Sequence, residues 1–275
     1  MLNMSKTILI DDFPKGFGGS ELVNKTVFNK LLVDEFIASV DFEDVDAEAF
    51  YIISNISTMQ DDKVDMITNH ANYIILEHDY KFVRSRHPWR YENSIVPPLE
   101  IINKNLYKNA KAVFVQTTDH LSVFRDNKIE GNFIDLKCSI WSDEELDYLE
   151  SINLKGDHKS YKFCVVQSSN WIKNQQGAEE FLKFSKIDYE LIKATSNTKE
   201  FLLSLGNYSA LVFFPIARES CCRLIVEARC LGMNVITSPN SGAWKSEWYS
   251  LSGNKLISYL REQSKTNLKL MESFL

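Results

Sequence analysis

Two glutamates, Glu219 and Glu227, stand eight residues apart where the apolar run Leu211 to Phe214 gives way to a segment with helical spacing. Between them lie Ser220, Cys221 and Cys222, small side chains at the point where a helix would begin. The first turn of a helix carries backbone N–H groups without intrahelical partners and the positive end of the helix dipole, a seat for a phosphate or diphosphate. Ser220 or its neighbour is expected to open this helix, and Gly232 to end it in the left-handed conformation glycine tolerates best. Cys221, Leu224, Ile225, Ala228 and Leu231 would form its apolar stripe, with Ser220 and Glu227 along the flank. Carboxylates repel phosphates but accept hydrogen bonds from sugar hydroxyls, so glutamates around an anion seat suit a nucleotide sugar. The plainer reading of an isolated pair is two solvated helix charges.

Such a site needs a sheet to hold it. Short, continuous β-branched and aromatic runs begin at Thr7, Phe50, Tyr73 and Ala112, and again at Tyr161, Tyr189, Ala210 and Asn234. Unbroken apolar runs of this kind are typical of parallel strands buried on both faces. The charged, turn-rich stretch 141–160 interrupts the rhythm, so two α/β domains are expected, 1–155 and 156–275. A chain of 275 residues is long enough for two such cores. If the two sheets faced each other, their carboxyl ends would wall a ligand cleft.

Composition narrows the function classes. A formal charge of −6 argues against holding a nucleic-acid backbone by bulk charge. No apolar run reaches membrane-spanning length and the first residues lack the form of a signal peptide, so a cytoplasmic protein is expected. Five cysteines without CxxC spacing indicate neither a disulfide framework nor a structural zinc site. Gly16, Gly18 and Gly19 do not complete GxGxxG, because Glu21 takes the last glycine's position, and no GxxxxGK[ST] is present. The pairs Asp11–Asp12 and Asp61–Asp62 read as turn or cap residues rather than metal ligands.

The stretch around Glu219 and Glu227 resembles the C-terminal signature of retaining GT-B glycosyltransferases of the glycogen-synthase and sucrose-synthase-like group, family 4 (GT4), in which Glu-x7-Glu follows an apolar strand. The next strand and its loop, with Ser241, Gly242 and Glu247, are similar to the family's as well. The resemblance implies two Rossmann-like domains and transfer of a sugar, of a hexosyltransferase kind, from a nucleotide-diphosphate donor to a saccharide or other hydroxyl acceptor, with retention of configuration. It implies that Glu219 contacts the donor sugar, Glu227 the ribose, and the amides around Ser220, Cys221 and Cys222 the diphosphate. This chain has Ser220 and Cys222 where the family has glycines, and Leu224 where it has proline.

Lys173 matches the family's diphosphate lysine, a point charge suited to phosphate oxygens. The family's arginine has no counterpart; Ser168 and Ser169 stand near its place, leaving Lys173 alone or aided by Arg218 or Arg223. Gly18 and Gly19 resemble the GGxE loop, where backbone can approach an acceptor or the diphosphate without a Cβ in the way. His78 matches a histidine near the reacting sugar, where it could donate a hydrogen bond; the local alternative is a loop histidine bonded to Glu77 or Asp79. Arg84, Arg86, His87 and Arg90 follow in a loop that could meet an acceptor. No metal and no other cofactor is expected. Two alternatives stay open: a catalytically silent nucleotide-sugar binder or partner subunit, and a Cys222 nucleophile activated at the helix N-terminus.

Overall fold

The structure, a computed structural model, describes residues 6–16, 18–154, 160–195 and 197–275. The chain divides into two compact units, Met1–Ile140 with Gln263–Leu275, and Trp141–Glu262. The boundary expected near residue 155 lies outside the described residues; the division instead falls fifteen residues earlier and recurs near the C-terminus.

In the first unit β1 (Thr7–Asp11), α1 (Gly19–Lys30), β2 (Glu35–Ala38), β3 (Phe50–Ile53), α2 (Asp61–His70), β4 (Asn72–Leu76), α3 (Lys104–Asn109), β5 (Val113–Val115), α4 (Thr118–Asp126) and β6 (Phe133–Asp135) build one parallel sheet in the order β2-β1-β3-β4-β5-β6. The continuous apolar runs are explained by what each face meets. Ile8, Ile10, Tyr51, Ile53, Tyr73, Ile75, Val113 and Val115 pack on one side with α2, α3 and α4. Leu9, Phe50, Ile52, Ile74, Leu76 and Phe114 pack on the other with Val23 and Val27 of α1. Successive residues point to opposite faces, so a strand covered on both sides must be apolar at every position. The two strands not anticipated from sequence, β2 and β6, lie at the sheet's edges, where half-exposed residues relax that requirement.

The second unit contains α5 (Asp143–Leu154), β7 (Ser160–Gln167), α6 (Gln175–Phe184), β8 (Tyr189–Lys193), α7 (Thr198–Leu205), β9 (Tyr208–Phe213), α8 (Arg223–Cys230), β10 (Asn234–Thr237) and the first half of α9 (Gly253–Glu272). Its sheet is again parallel, in the order β10-β9-β7-β8. Val165 and Val212 meet Ala178 and Leu182 of α6 on one face.

The stretch from 141 read as turn-rich instead opens with a helix. Ser142 Oγ accepts from Glu145 N (3.2 Å) while Ser142 N donates to Glu145 Oε2 (2.9 Å), a reciprocal capping box that starts α5. The last helix, α9, is twenty residues long. Its last turns belong to the first unit, where Met271 is fully buried with Leu136 and Ile140, Asn267 Nδ2 donates to Leu136 O (2.9 Å), and the rings of Phe114 and Phe274 meet edge to face at 5.8 Å.

Candidate active site

Each sheet reverses its winding once. In the second unit β7 is followed by β8 on one side and β9 on the other, so the loops leaving β7 and β9 diverge at a switch point, where open parallel sheets hold ligands. The first loop carries Lys173 in the short 3-10 turn Trp171–Lys173, and the second carries Glu219. The two meet: Lys173 Nζ donates to Glu219 Oε1 at 2.6 Å. Burial works against the Lys173 charge, but the Glu219 carboxylate outweighs it and holds the ammonium above its ordinary pKa.

Backbone and amide bonds fix the three loops at this end. Ile216 N donates to Ile172 O (2.9 Å) and Asn174 Nδ2 to Phe214 O (3.0 Å), joining the loops after β7 and β9. Asn240, in the loop after β10, donates through Nδ2 to Pro215 O and Ile216 O, both at 3.2 Å, and its own carbonyl accepts from Glu219 N at 2.9 Å. Gly242 N returns a bond to Glu219 O (3.0 Å), Ala243 N donates to Cys221 O (3.0 Å), and Ser241 Oγ reaches Cys221 O at 3.2 Å. The two resembling segments are thus neighbours in space, paired as a short parallel bridge between Glu219 and Ser241.

This pairing changes the helix start. Residues 219–221 are drawn into pairing with 240–243, so Ser220 and Cys221 lie in the loop and α8 opens at Arg223, not at Ser220. Cys222 is the N-cap at φ 72, a left-handed conformation that a glycine would adopt without strain. Gly232 follows the last turn at φ 71, as expected for a helix C-terminus. Burial pushes the Cys222 thiol well above its ordinary pKa and the Glu219 carboxylate adds to that, which removes the thiolate a nucleophile requires.

Glu227 is buried rather than solvated, one turn along α8 from Arg223, whose Nε lies 3.8 Å from its Oε1. Burial raises the Glu227 carboxyl to a pKa of about 7, with Arg223 opposing and Glu145 reinforcing the shift. Arg223 is engaged elsewhere: Nη2 donates to Glu145 Oε1 at 2.5 Å, and the guanidinium stacks 3.6 Å from the Trp141 ring centre. Of the two arginines considered for the missing position, Arg223 is therefore committed to α5, while Arg218 lies half-buried in the loop before Glu219.

In the first unit Gly18 caps α1 and Gly19 is its first residue. The Glu21 side chain folds back over Gly16 and Gly18 so closely that a Cβ at either would collide with it. The switch point between β1 and β3 is filled by carboxylates: Asp11 accepts from Asn55 N (3.0 Å) and Nδ2 (2.9 Å), and Asp12 from Ser39 Oγ (2.5 Å), Ser57 N (2.8 Å), Ser57 Oγ and Thr58 N (3.1 Å). Burial opposes the Asp12 charge, yet these donors hold its pKa below the usual carboxylate range.

His78 lies two residues beyond the end of β4, half-buried. Its Nε2 lies 3.0 Å from Asn24 Oδ1 and its Nδ1 3.4 Å from Gln116 Nε2, so the ring meets two side-chain amides. Of the neighbouring carboxylates, Glu77 accepts from Lys81 (2.7 Å) and Tyr107 (2.6 Å), and Asp79 from Arg86 (2.8 Å). Because Gln116 Nε2 also donates to the Glu77 carbonyl at 3.1 Å, the amide presents hydrogen to His78 Nδ1 and leaves the ring's proton on Nε2, facing Asn24.

Sequence reasoning missed Asn240, Trp141 and Glu145. The capping-box spacing Ser142 to Glu145 was a usable signal for the last; nothing in a lone asparagine or tryptophan marks its role. Among the described residues no group of three or more His, Cys, Asp or Glu side chains could hold a metal ion, and no helix is long and apolar enough to cross a membrane.

No protein-family model matches the chain, and no curated protein sequence does. Solved structures do match. Anabaena HepE in complex with UDP and glucose superposes with a TM-score of 0.54 at 11% identity, over 98% of this chain and 92% of that one. Sucrose-phosphate synthase from Thermosynechococcus elongatus gives 0.56 at 9%, over 98% and 90%. HepE in complex with UDP-glucose gives 0.52 at 10%, over 98% and 91%. At such identities the likeness is one of fold, and the fold is that of GT-B glycosyltransferases, α/β with two parallel sheets.

Proposed function

We propose that this chain is a glycosyltransferase that moves a sugar from a nucleotide-diphosphate donor to a hydroxyl acceptor, and that its second unit holds the donor. The observation that carries the reading is the Lys173–Glu219 pair at the switch point of the second sheet, on loops that lead to the N-terminus of α8. A cation for phosphate and a carboxylate for hydroxyls stand within one hydrogen bond of each other, as a ligand joining the two groups requires. The fold shared with HepE, which was solved with UDP-glucose, makes that compound the first donor to test.

In this reading Lys173 and the N–H groups around Ser220, Cys221 and Cys222 take the growing negative charge of the leaving diphosphate. Glu219 accepts from the donor sugar's hydroxyls and Glu227 from the ribose. His78 is assigned the reacting sugar, and the Gly18–Gly19 loop the acceptor or diphosphate. Transfer proceeds with retention, by same-face attack aided by the leaving phosphate, in the manner of family 4, and needs no metal because the charge is met by Lys173 and backbone donors.

The test is UDP release from UDP-glucose by purified chain, alone and with a panel of hydroxyl acceptors, for the wild type and Glu219→Ala, with and without EDTA. Saturable turnover that falls at least about a hundredfold in Glu219→Ala and survives EDTA is the expected result. Binding without turnover under every condition leaves the silent binder, and no binding of any nucleotide by folded protein removes the donor site.

A further inference from the structure

Glu227 is buried and yet holds its carboxyl open. The residue is 7% exposed, and among the described residues no donor lies within hydrogen-bond distance of its side chain; Arg223 Nε stands 3.8 Å from Oε1. A buried carboxyl without donors is costly, and α8 carries one at hand, since Arg223 lies one turn before Glu227 at the spacing of a helical ion pair.

Three features keep the two from closing. Glu145 of α5 captures the guanidinium, accepting from Nη2 through Oε1 at 2.5 Å, and is itself fixed because its Oε2 accepts from Ser142 N and Oγ, both at 2.9 Å. The guanidinium carbon lies 3.6 Å from the Trp141 ring centre, and a plane stacked on an indole cannot tilt toward a new partner without losing that contact. Arginine before glutamate is also the weaker order for a helical pair, and a cation at the first helical residue stands against the helix dipole. Trp141, Glu145, Arg223 and Glu227 all belong to the second unit.

We propose that Glu145, together with Trp141, is a positioning residue of the donor site: it draws Arg223 aside so that the Glu227 carboxyl stays open to the two hydroxyls of the donor's ribose. A carboxyl can accept from neighbouring hydroxyls through its two oxygens, and an arginine closing on it would compete with the sugar for the same lone pairs. That the guest is a ribose rests on the function proposed above; the diversion of Arg223 does not.

The experiment titrates the full chain calorimetrically with UDP, 2′,3′-dideoxy-UDP and inorganic pyrophosphate, for the wild type, Glu145→Gln and Glu145→Gln/Arg223→Met, and determines the crystal structure of Glu145→Gln. Glutamine at this place still completes a capping box, so the single variant should fold. Methionine keeps an unbranched stem at 223 but cannot donate to Glu227. The wild type should prefer UDP over its dideoxy analogue at least about tenfold, from hydroxyls bonded to a carboxyl. In Glu145→Gln that preference should shrink to about twofold or less with pyrophosphate affinity unchanged, and Arg223 should close on Glu227 to about 3 Å. The double variant should recover the preference, whereas a merely structural role for Glu145 makes the double variant the worst of the three. The proposal is overturned by an undiminished preference in Glu145→Gln, by no recovery in the double variant, by an Arg223 still held off Glu227 in the variant structure, or by a wild type that binds both nucleotides alike. No UDP binding by folded wild type would strike the donor site proposed above and the ribose with it, while the Glu145→Gln structure decides the diversion of Arg223 by itself.

Discussion

Glu219→Gln separates the two roles assigned to the Lys173–Glu219 pair, because it should improve one and abolish the other. The lysine is bonded to the carboxylate at 2.6 Å, so a diphosphate has to take Lys173 away from Glu219. Two unit charges at that distance attract by about 6 kcal/mol at an effective dielectric of 20. The side chains are 39% and 20% exposed, however, and partly exposed pairs of this kind are worth only about 1 kcal/mol after solvation and side-chain entropy. Glutamine keeps the size and the hydrogen-bonding carbonyl while removing the charge, so the lysine is released at the cost of roughly that amount. UDP alone, which lacks the donor sugar, should then bind about fivefold tighter to Glu219→Gln than to the wild type, by calorimetry at low salt. UDP release from UDP-glucose should fall at least about a hundredfold in the same protein. Weaker UDP binding by Glu219→Gln, with the fold intact by circular dichroism, would refute the view that the carboxylate competes for the lysine.

Two further outcomes concern stability. Glu227 has a folded pKa raised to about 7, so the folded state binds a proton more tightly than the unfolded chain, and its favourable contribution is present below the unfolded value and lost as pH rises through 7. Thermal melts of Glu227→Gln relative to the wild type should therefore improve between pH 5 and pH 8, by up to about 3 kcal/mol, and a pH-independent difference would contradict this. Glu145→Ala strips Arg223 of its 2.5 Å partner while leaving the guanidinium buried, and should cost about 3 kcal/mol in a urea titration; a loss under about 0.5 kcal/mol would show that the Trp141 stack alone suffices.

The sheet strands buried on both faces were legible because burial on two sides disfavours polar residues: residues 8–10, Phe50–Ile53 and residues 73–76 announce themselves as unbroken apolar runs. Edge strands such as Glu35–Ala38 carry no such constraint and were not seen. At the candidate site, side-chain type revealed Glu219 and Lys173, whereas their meeting depends on a strand order that no local pattern encodes. The helix start was misplaced by three residues for a related reason. Ser220 is a good N-cap by type, but residues 219–221 are claimed by the loop after β10, a partner some twenty positions away.

The long terminal helix bears on the order in which the protein can fold as it is made. Met271 and Phe274 complete the apolar face that Leu136 and Phe114 begin, and Asn267 caps the Leu136 carbonyl across a sequence separation of 131 residues. On the ribosome, at about 5–20 residues per second, that gap lasts roughly ten seconds. Throughout it the first sheet has its strands but lacks part of the cover on one face, while the whole second unit emerges and can fold. The first unit is thus begun first and closed last, and a nascent chain halted before residue 260 should present an apolar surface that chaperones recognise.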